Sequence, residues 1–267
     1  ARAAGAASDT AGGVFVSLHQ HGELVLWPWW DTTSPAPDGP LLEAIGRKFA
    51  SYNGYTAGPG AGTLYEASGT ADDWTYGTLQ VPSFTFEMGQ EFTPAYATVD
   101  SSLWPENFEA LVYGAKIART PYATVLGPDA SLVAVERDVA NFTITATIDD
   151  TANGGQPVAA AEYYVDTPPW ISGAVPHALA AADGGFDSQL EGVAAVASHE
   201  GLTSGRHLVY VRGQDAAGNW GPFSAGWLSL HPWQNPSHPC DVDGVDGAQA
   251  QDALILINSI NLLGVRF

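Results

Sequence analysis

The pattern of the chain changes near residue 126, and that change limits what it can fold into. Before it, helical and strand periods alternate; after it, short β-type runs follow one another between glycine turns. In the first stretch, "LLEAIGRKFASYNGY" spaces Leu41, Ala44, Ile45 and Phe49 along one helical face, with Gly54 as a stop. "PENFEALVYGAKIART" repeats that spacing with Phe108, Leu111, Val112 and Ala115, and Pro105 suits a first helical turn. Between them "SFTFEM" (Ser83 to Met88) reads as a strand with Phe84 and Phe86 on one face. Strands set among helices predict an α/β layered domain.

The second stretch, residues 127–230, reads as all-β. "NFTITATID", "AAEYYVD" and "HLVYVRGQD" are rich in β-branched and aromatic residues, and Asp-Gly-Gly, Asn-Gly-Gly and Ala-Gly-Asn turns separate such runs. A β-sandwich of roughly a hundred residues is the natural architecture. "GRHLVYVRGQDAAGNWGP" (Gly205 to Pro222) resembles the last strands of bacterial immunoglobulin-like modules appended to secreted enzymes. Exposed tryptophans such as Trp170 and Trp220 would suit a carbohydrate-binding module, but aromatic residues in such a domain more often fill its core.

A proline-rich linker, residues 231–239, should be extended. After it, "CDVDGVDGAQAQDALILINSINLLG" places Asp241, Asp243 and Asp252 at loop positions 1, 3 and 12 ahead of a helix. That arrangement resembles one half of a dockerin-type, EF-hand-like calcium repeat. It departs from the pattern where Val245 and Asp246 replace an oxygen ligand and a glycine, and one repeat stands where a dockerin has two. The plainer alternative is a small acidic helical cap.

Composition narrows the partners. The 267 residues carry 29 acidic against 9 basic side chains, a net charge of −20, which argues against a nucleic-acid or anionic-membrane partner. No apolar run reaches ~18 residues, so no conventional membrane span is expected. Cys240 is the single cysteine and forms no intrachain disulfide. The chain starts Ala-Arg-Ala-Ala and its one methionine is Met88, so a processed chain or fragment, its signal peptide not included, is the expectation.

The chemistry starts at "VSLHQHGELVLWPWW" (Val16 to Trp30), where a strand delivers His19 and His21. His-x-His alone is a weak metal signal. Downstream stands "TLYEASGTADDWTYGTLQVPSFTFEMGQEF" (Thr63 to Phe92), in which Tyr65, Tyr76 and Glu87 are separated by eleven residues each. Together the two stretches resemble the C-terminal half of the zinc carboxypeptidases, the family of carboxypeptidases A, B and T.

That resemblance implies a third zinc ligand at His19, a mobile substrate-binding tyrosine at Tyr65 and the catalytic glutamate at Glu87. It places Asp72 where the family reads the substrate's terminal side chain, and an aspartate there resembles carboxypeptidase B, which prefers Lys or Arg. The physics agrees, because a carboxylate at a pocket floor pairs with a cationic side chain. His21 falls where the family has a groove-lining tyrosine, and Asp73 reads as structural. Peptide hydrolysis uses a metal to polarise the carbonyl and a carboxylate to take a proton from water.

The resemblance breaks upstream. The family's His-x-x-Glu ligands and its carboxylate-gripping arginines precede the third ligand by a long way, and the eighteen residues before His19 contain neither. One ligand where three are needed predicts weak zinc binding and little hydrolysis by this chain alone.

The expected organisation is therefore multidomain. Residues 1–126 form the C-terminal part of a mixed-sheet carboxypeptidase-like α/β domain, 127–230 an immunoglobulin-like sandwich, 231–239 a linker, and 240–267 an EF-hand-like loop-helix tail. The expected protein is a secreted bacterial metallocarboxypeptidase using zinc, with calcium a candidate for the tail. It would act on peptides or proteins with a free C-terminus and meet a cohesin-like or cell-surface partner. The competing expectation is a non-catalytic secreted adhesion or binding protein that keeps a carboxypeptidase-like remnant.

Overall fold

A computed structural model describes residues 11–230 and 249–263. Internal contacts divide the chain into two units. Of the described residues, the first holds 11–128 with Asp150–Gln156 and Gln214–Pro222; the second holds Asp129–Asp149, Pro157–Gly213 and those from Phe223 onward.

The first unit is built on a four-stranded mixed sheet: β1 (Phe15–His19), β2 (Leu24–Trp27), β3 (Thr56–Pro59) and β4 (Ser83–Glu87), in the order β1-β4-β2-β3. β1 runs parallel to β4, β2 antiparallel to β4, and β2 parallel to β3. Its main helices are α1 (Gly39–Asn53), α2 (Ala71–Leu79) and α3 (Trp104–Ile117).

Helix α1 follows the sequence pattern. Pro40 sits in its first turn, and Gly54 closes it in the left-handed region with φ 75°, donating its N–H to the Ala50 carbonyl at 2.8 Å. Leu42, Ile45 and Phe49 form its buried face. Phe49 meets Phe84 and Phe86 edge-on at 5.0 and 5.3 Å between ring centres, so this helix covers one face of β4. Gly46 lets α1 approach closely, since a Cβ there would lie 2.5 Å from the Trp27 ring.

Helix α3 differs from its expected face. Its buried side is Asn107, Ala110, Tyr113, Gly114 and Ile117, whereas Phe108 is exposed. The apolar spacing chosen from the sequence lies one position off the true stripe, because a buried asparagine and a glycine carry no hydrophobic signal. Strand β4 is buried along its whole length, so its alternate residues Ser83 and Thr85 are as enclosed as its phenylalanines. Thr85 reaches α2 by a hydrogen bond to Asp72, which puts α2 on the sheet face opposite α1.

The second unit contains strands β5 (Asp129–Arg137), β6 (Asn141–Asp149), β7 (Val158–Val165), β8 (His177–Ala181), β9 (Leu190–Ser198), β10 (Gly205–Asp215, of which Gln214 and Asp215 fall in the first unit) and β11 (Ser224–Leu230). They form one seven-stranded sheet in the order β11-β10-β7-β8-β9-β6-β5, antiparallel in each pair whose register is defined. β8 shares itself between two neighbours: residues 177–179 pair with β7, and Ala180 and Ala181 pair with β9. A strand that changes partners turns a corner, so the sheet folds around one core. Phe142, Ile144 and Ile148 of β6 face Val209 and Val211 of β10 and Leu228 of β11 there. Gly226 of β11 packs against Val133 and Val135 of β5, which brings the two ends of the sheet together as a nearly closed barrel.

Helix α4 spans Ala250–Leu263. Asp252 in its first turn is buried and accepts the Gln249 backbone N–H at 2.7 Å, as a residue closing a helix start does. Asp241 and Asp243, and the linker before them, lie outside the described residues.

Candidate active site

The ends of β1 and β4 create the site. In their parallel register His19 pairs with Glu87, so both side chains emerge at the same end of the sheet. Met88 N–H donates to the His19 carbonyl at 2.9 Å and locks that register. His19 is exposed, and its Nε2 lies 2.8 Å from the Ser17 hydroxyl. Glu87 is buried, and burial lifts its carboxyl above the ordinary range while the charges of His19 and His21 pull it down. A carboxyl raised in this way is a poised proton acceptor.

Tyr65 is 61% exposed and meets the Trp30 ring edge-on at 6.3 Å. Trp30 in turn donates its indole N–H to Asp72 Oδ2 at 3.2 Å, and Thr85 donates its hydroxyl to the same oxygen at 2.7 Å. Asp72 Oδ1 is buried with no hydrogen-bond partner. Burial raises the Asp72 carboxyl; the bonds from Thr85 and Trp30 lower it, Asp73 raises it, and the charge of His19 lowers it. An unpartnered buried carboxylate oxygen costs free energy until a donor reaches it. Asp72 thus keeps one acceptor oxygen unused.

Asp73 does something else. Both its oxygens accept the Trp30 backbone N–H, at 3.0 and 3.2 Å, and its own N–H is capped by the Thr70 hydroxyl. His21 is exposed, with its ring edge-on to Phe92 at 6.4 Å. A separate cavity of about 540 Å³, lined in part by Trp29, Asp31, Asp73 and Trp74, involves none of His19, Tyr65, Asp72 and Glu87.

Trp30 and Thr85 are the residues that sequence reasoning missed. Trp30 joins Tyr65 to Asp72, and Thr85 supplies the shortest bond to the carboxylate. The signal was present in "WPWW" and in the polar position between Phe84 and Phe86, but nothing local says which aspartate those groups meet.

A catalytic zinc centre uses three protein ligands and a water. Among the described residues no group of three or more His, Cys, Asp or Glu side chains could hold a metal ion. His19 and Glu87 alone do not complete such a centre.

The first unit is similar in sequence to the metallocarboxypeptidases. The family model for zinc carboxypeptidases matches residues 5–110. Carboxypeptidase B of Canis lupus familiaris is 32% identical over 111 residues, 39% of this chain and 27% of that protein. The zinc carboxypeptidase of Saccharothrix mutabilis subsp. capreolus is 37% identical over 79 residues, 27% of this chain and 18% of that one. Among solved structures, the carboxypeptidase A from Helicoverpa armigera aligns at 21% identity and a TM-score of 0.35, covering 41% of this chain and 30% of its own. The chain thus spans about a quarter or less of the length of these sequence relatives. The family implies zinc as its metal. No helix among the described residues is long and apolar enough to cross a membrane.

Proposed function

We propose that the first unit is the C-terminal part of a secreted zinc carboxypeptidase that removes Lys or Arg from the free C-terminus of peptides or proteins. The observation that carries this reading is the pairing of buried Glu87 with His19 at the ends of neighbouring parallel strands. Glu87 takes a proton from the attacking water, for which its raised carboxyl is suited. Tyr65 reaches over the substrate with its phenol, and Asp72 Oδ1 receives the cationic side chain. His21 lines the groove. His19 is one zinc ligand.

A second reading is favoured by one observation, the absence of a three-ligand group among the described residues. On it the protein is a non-catalytic secreted binding or adhesion protein with a carboxypeptidase-like remnant. The full-length protein from its source, loaded with zinc, decides between them. The first reading expects amino-acid release from peptides ending in Lys or Arg, slower release from those ending in Phe, and loss of both with a chelator. No release from any of these peptides overturns it and leaves the second.

The rest of the chain extends the same proposal. The domain divisions 1–126, 127–230, 231–239 and 240–267 give an enzyme carrying an immunoglobulin-like module and a dockerin-like tail. The loop spacing of Asp241, Asp243 and Asp252 supports calcium there and a cohesin-like or cell-surface partner. Calcium titration of the chain followed by calorimetry tests it; no heat of binding at millimolar calcium overturns it.

A further inference from the structure

Behind Glu87, away from His19, a closed polar network lies inside the first unit. Asn107 of α3 is almost fully buried and uses all of its amide: it donates to the Tyr55 hydroxyl at 2.9 Å and to the Leu103 carbonyl at 2.9 Å, and it accepts from Asn53 Nδ2 at 3.0 Å. Asn53 also accepts the Tyr55 N–H at 3.1 Å. Tyr55, buried between α1 and β3, completes the ring and gives its own proton towards Glu106 at 3.5 Å. Burial is the main cause holding its phenol above the ordinary range, so it stays protonated and keeps that donor.

The network ends on the turn that follows Glu87. Gly89 N–H donates to the Tyr55 hydroxyl at 3.3 Å, and the Gly89 carbonyl accepts the Gly22 N–H at 2.8 Å. Gly89 has φ 64°, and a Cβ there would lie 2.6 Å from Leu103, so the turn favours glycine. Gly22 follows His21, and Met88 bonds the His19 carbonyl. The turn therefore holds Glu87 on one side and the His19–His21 segment on the other, and Tyr55 grips its middle.

We propose that Tyr55, oriented by Asn107, is a positioning residue for the active site: its hydroxyl fixes the Met88–Gln90 turn and so sets Glu87 against the His19–His21 segment. This rests on the reading of Glu87 as the proton acceptor. The Tyr55 hydroxyl meets Asn107, Glu106 and the Gly89 amide, so it acts through the turn.

The test is Tyr55→Phe in this chain, which removes one hydroxyl, with Tyr76→Phe as a control that removes another buried hydroxyl, the one bonded to Asp38. Amide hydrogen exchange is the readout. In Tyr55→Phe the Gly22 and Met88 amides exchange roughly fivefold to tenfold faster, as the loss of one hydrogen bond allows. Tyr76→Phe matches wild type at both amides. Faster exchange at Gly89 alone, with Gly22 and Met88 unchanged, overturns the proposal, because the hydroxyl would merely cap one amide. Equal changes in both variants overturn it as general loosening. Hydrolysis by the full-length enzyme plays no part in these readouts, so failure of the functional reading is seen separately.

Discussion

Glu87 and His19 occupy the same register position on neighbouring parallel strands, and the Met88 N–H closes onto the His19 carbonyl at 2.9 Å. A slip of one residue would turn one of the two side chains to the other sheet face. The pairing is thus a property of the sheet, not of side-chain packing alone. Tyr65 and Asp72, by contrast, come from a loop and a helix start and are linked through Trp30.

Replacing Glu87 by Gln should lower hydrolysis by the full-length enzyme roughly 10²- to 10⁴-fold, the usual contribution of a positioned base. It should also change the pH dependence of stability. The native carboxyl lies above its ordinary 4.5, raised by burial. Just above that pH the native state holds the proton that the unfolded chain has released. Stability is therefore fullest below the unfolded value and falls as pH rises through the native one. Urea midpoints of wild type and Glu87→Gln, compared from about pH 4 to about pH 8, should show wild type losing ground through that window. Parallel curves would refute the burial argument.

Asp72→Asn keeps the shape of the side chain and an oxygen for Thr85 and Trp30 but removes the charge. In the full-length enzyme kcat/KM for peptides ending in Arg should drop about 10- to 100-fold, the worth of a charged hydrogen bond. Peptides ending in Phe should change little. An equal loss on both substrates would mean that Asp72 holds the fold together and does not read the side chain.

The sequence made some of this legible for identifiable reasons. Leu42, Ile45 and Phe49 stand out because a helix with one wet face needs that spacing, and Gly54 marks its end. β6, β7 and β10 stand out through their β-branched and aromatic residues. β8 and β9 do not, since "HALAA" and "LEGVAAVAS" are alanine-rich and become strands by pairing with neighbours far along the chain. Asn107 was invisible for a related reason. A buried asparagine is recognised by its partners, and Asn53 and Tyr55 reach it only when the end of α1 packs against α3.

The approach of α1 to the sheet should be intolerant of even one methyl group. A Cβ on Gly46 would fall 2.5 Å from two atoms of the Trp27 ring, which is itself buried and hemmed in. Gly46→Ala should therefore destabilise the first unit by about 1–3 kcal/mol, the usual cost of overpacking, despite alanine's better helix propensity. Gly185→Ala, where a Cβ meets nothing within 4 Å and φ is unstrained, is the matched control. It should be neutral or gain a few tenths of a kcal/mol through the unfolded state. Denaturant titrations of the two variants, with the m-value held constant, measure the difference.

In the second unit, His207 should make stability fall as pH rises. It is buried, its Nδ1 lies 2.7 Å from Asp166 Oδ2, and its Nε2 lies 2.8 Å from the Thr203 carbonyl. Both partners only accept, so the site favours the charged ring, in which both nitrogens donate. Burial opposes that charge, but the bonds to Asp166 and Thr203 outweigh it, and the net shift is upward from 6.5. Leu208 N–H holds the other Asp166 oxygen at 3.0 Å, so the carboxylate is already in place when the ring is charged. The sign follows from proton counting: above 6.5 the native state keeps a proton that the unfolded chain gives up. The contribution is complete below the unfolded value and disappears as pH rises through the native one. Denaturation midpoints between about pH 5.5 and about pH 8.5 should decline in wild type and stay flatter in His207→Gln, which can donate to only one of the two acceptors at full geometry. Asp166→Asn should keep the decline but shift it to lower pH, because the carbonyl of Thr203 alone then favours the charged ring. A wild-type curve that is level across this range would show that His207 is neutral and that one of its two acceptors is left without a proton.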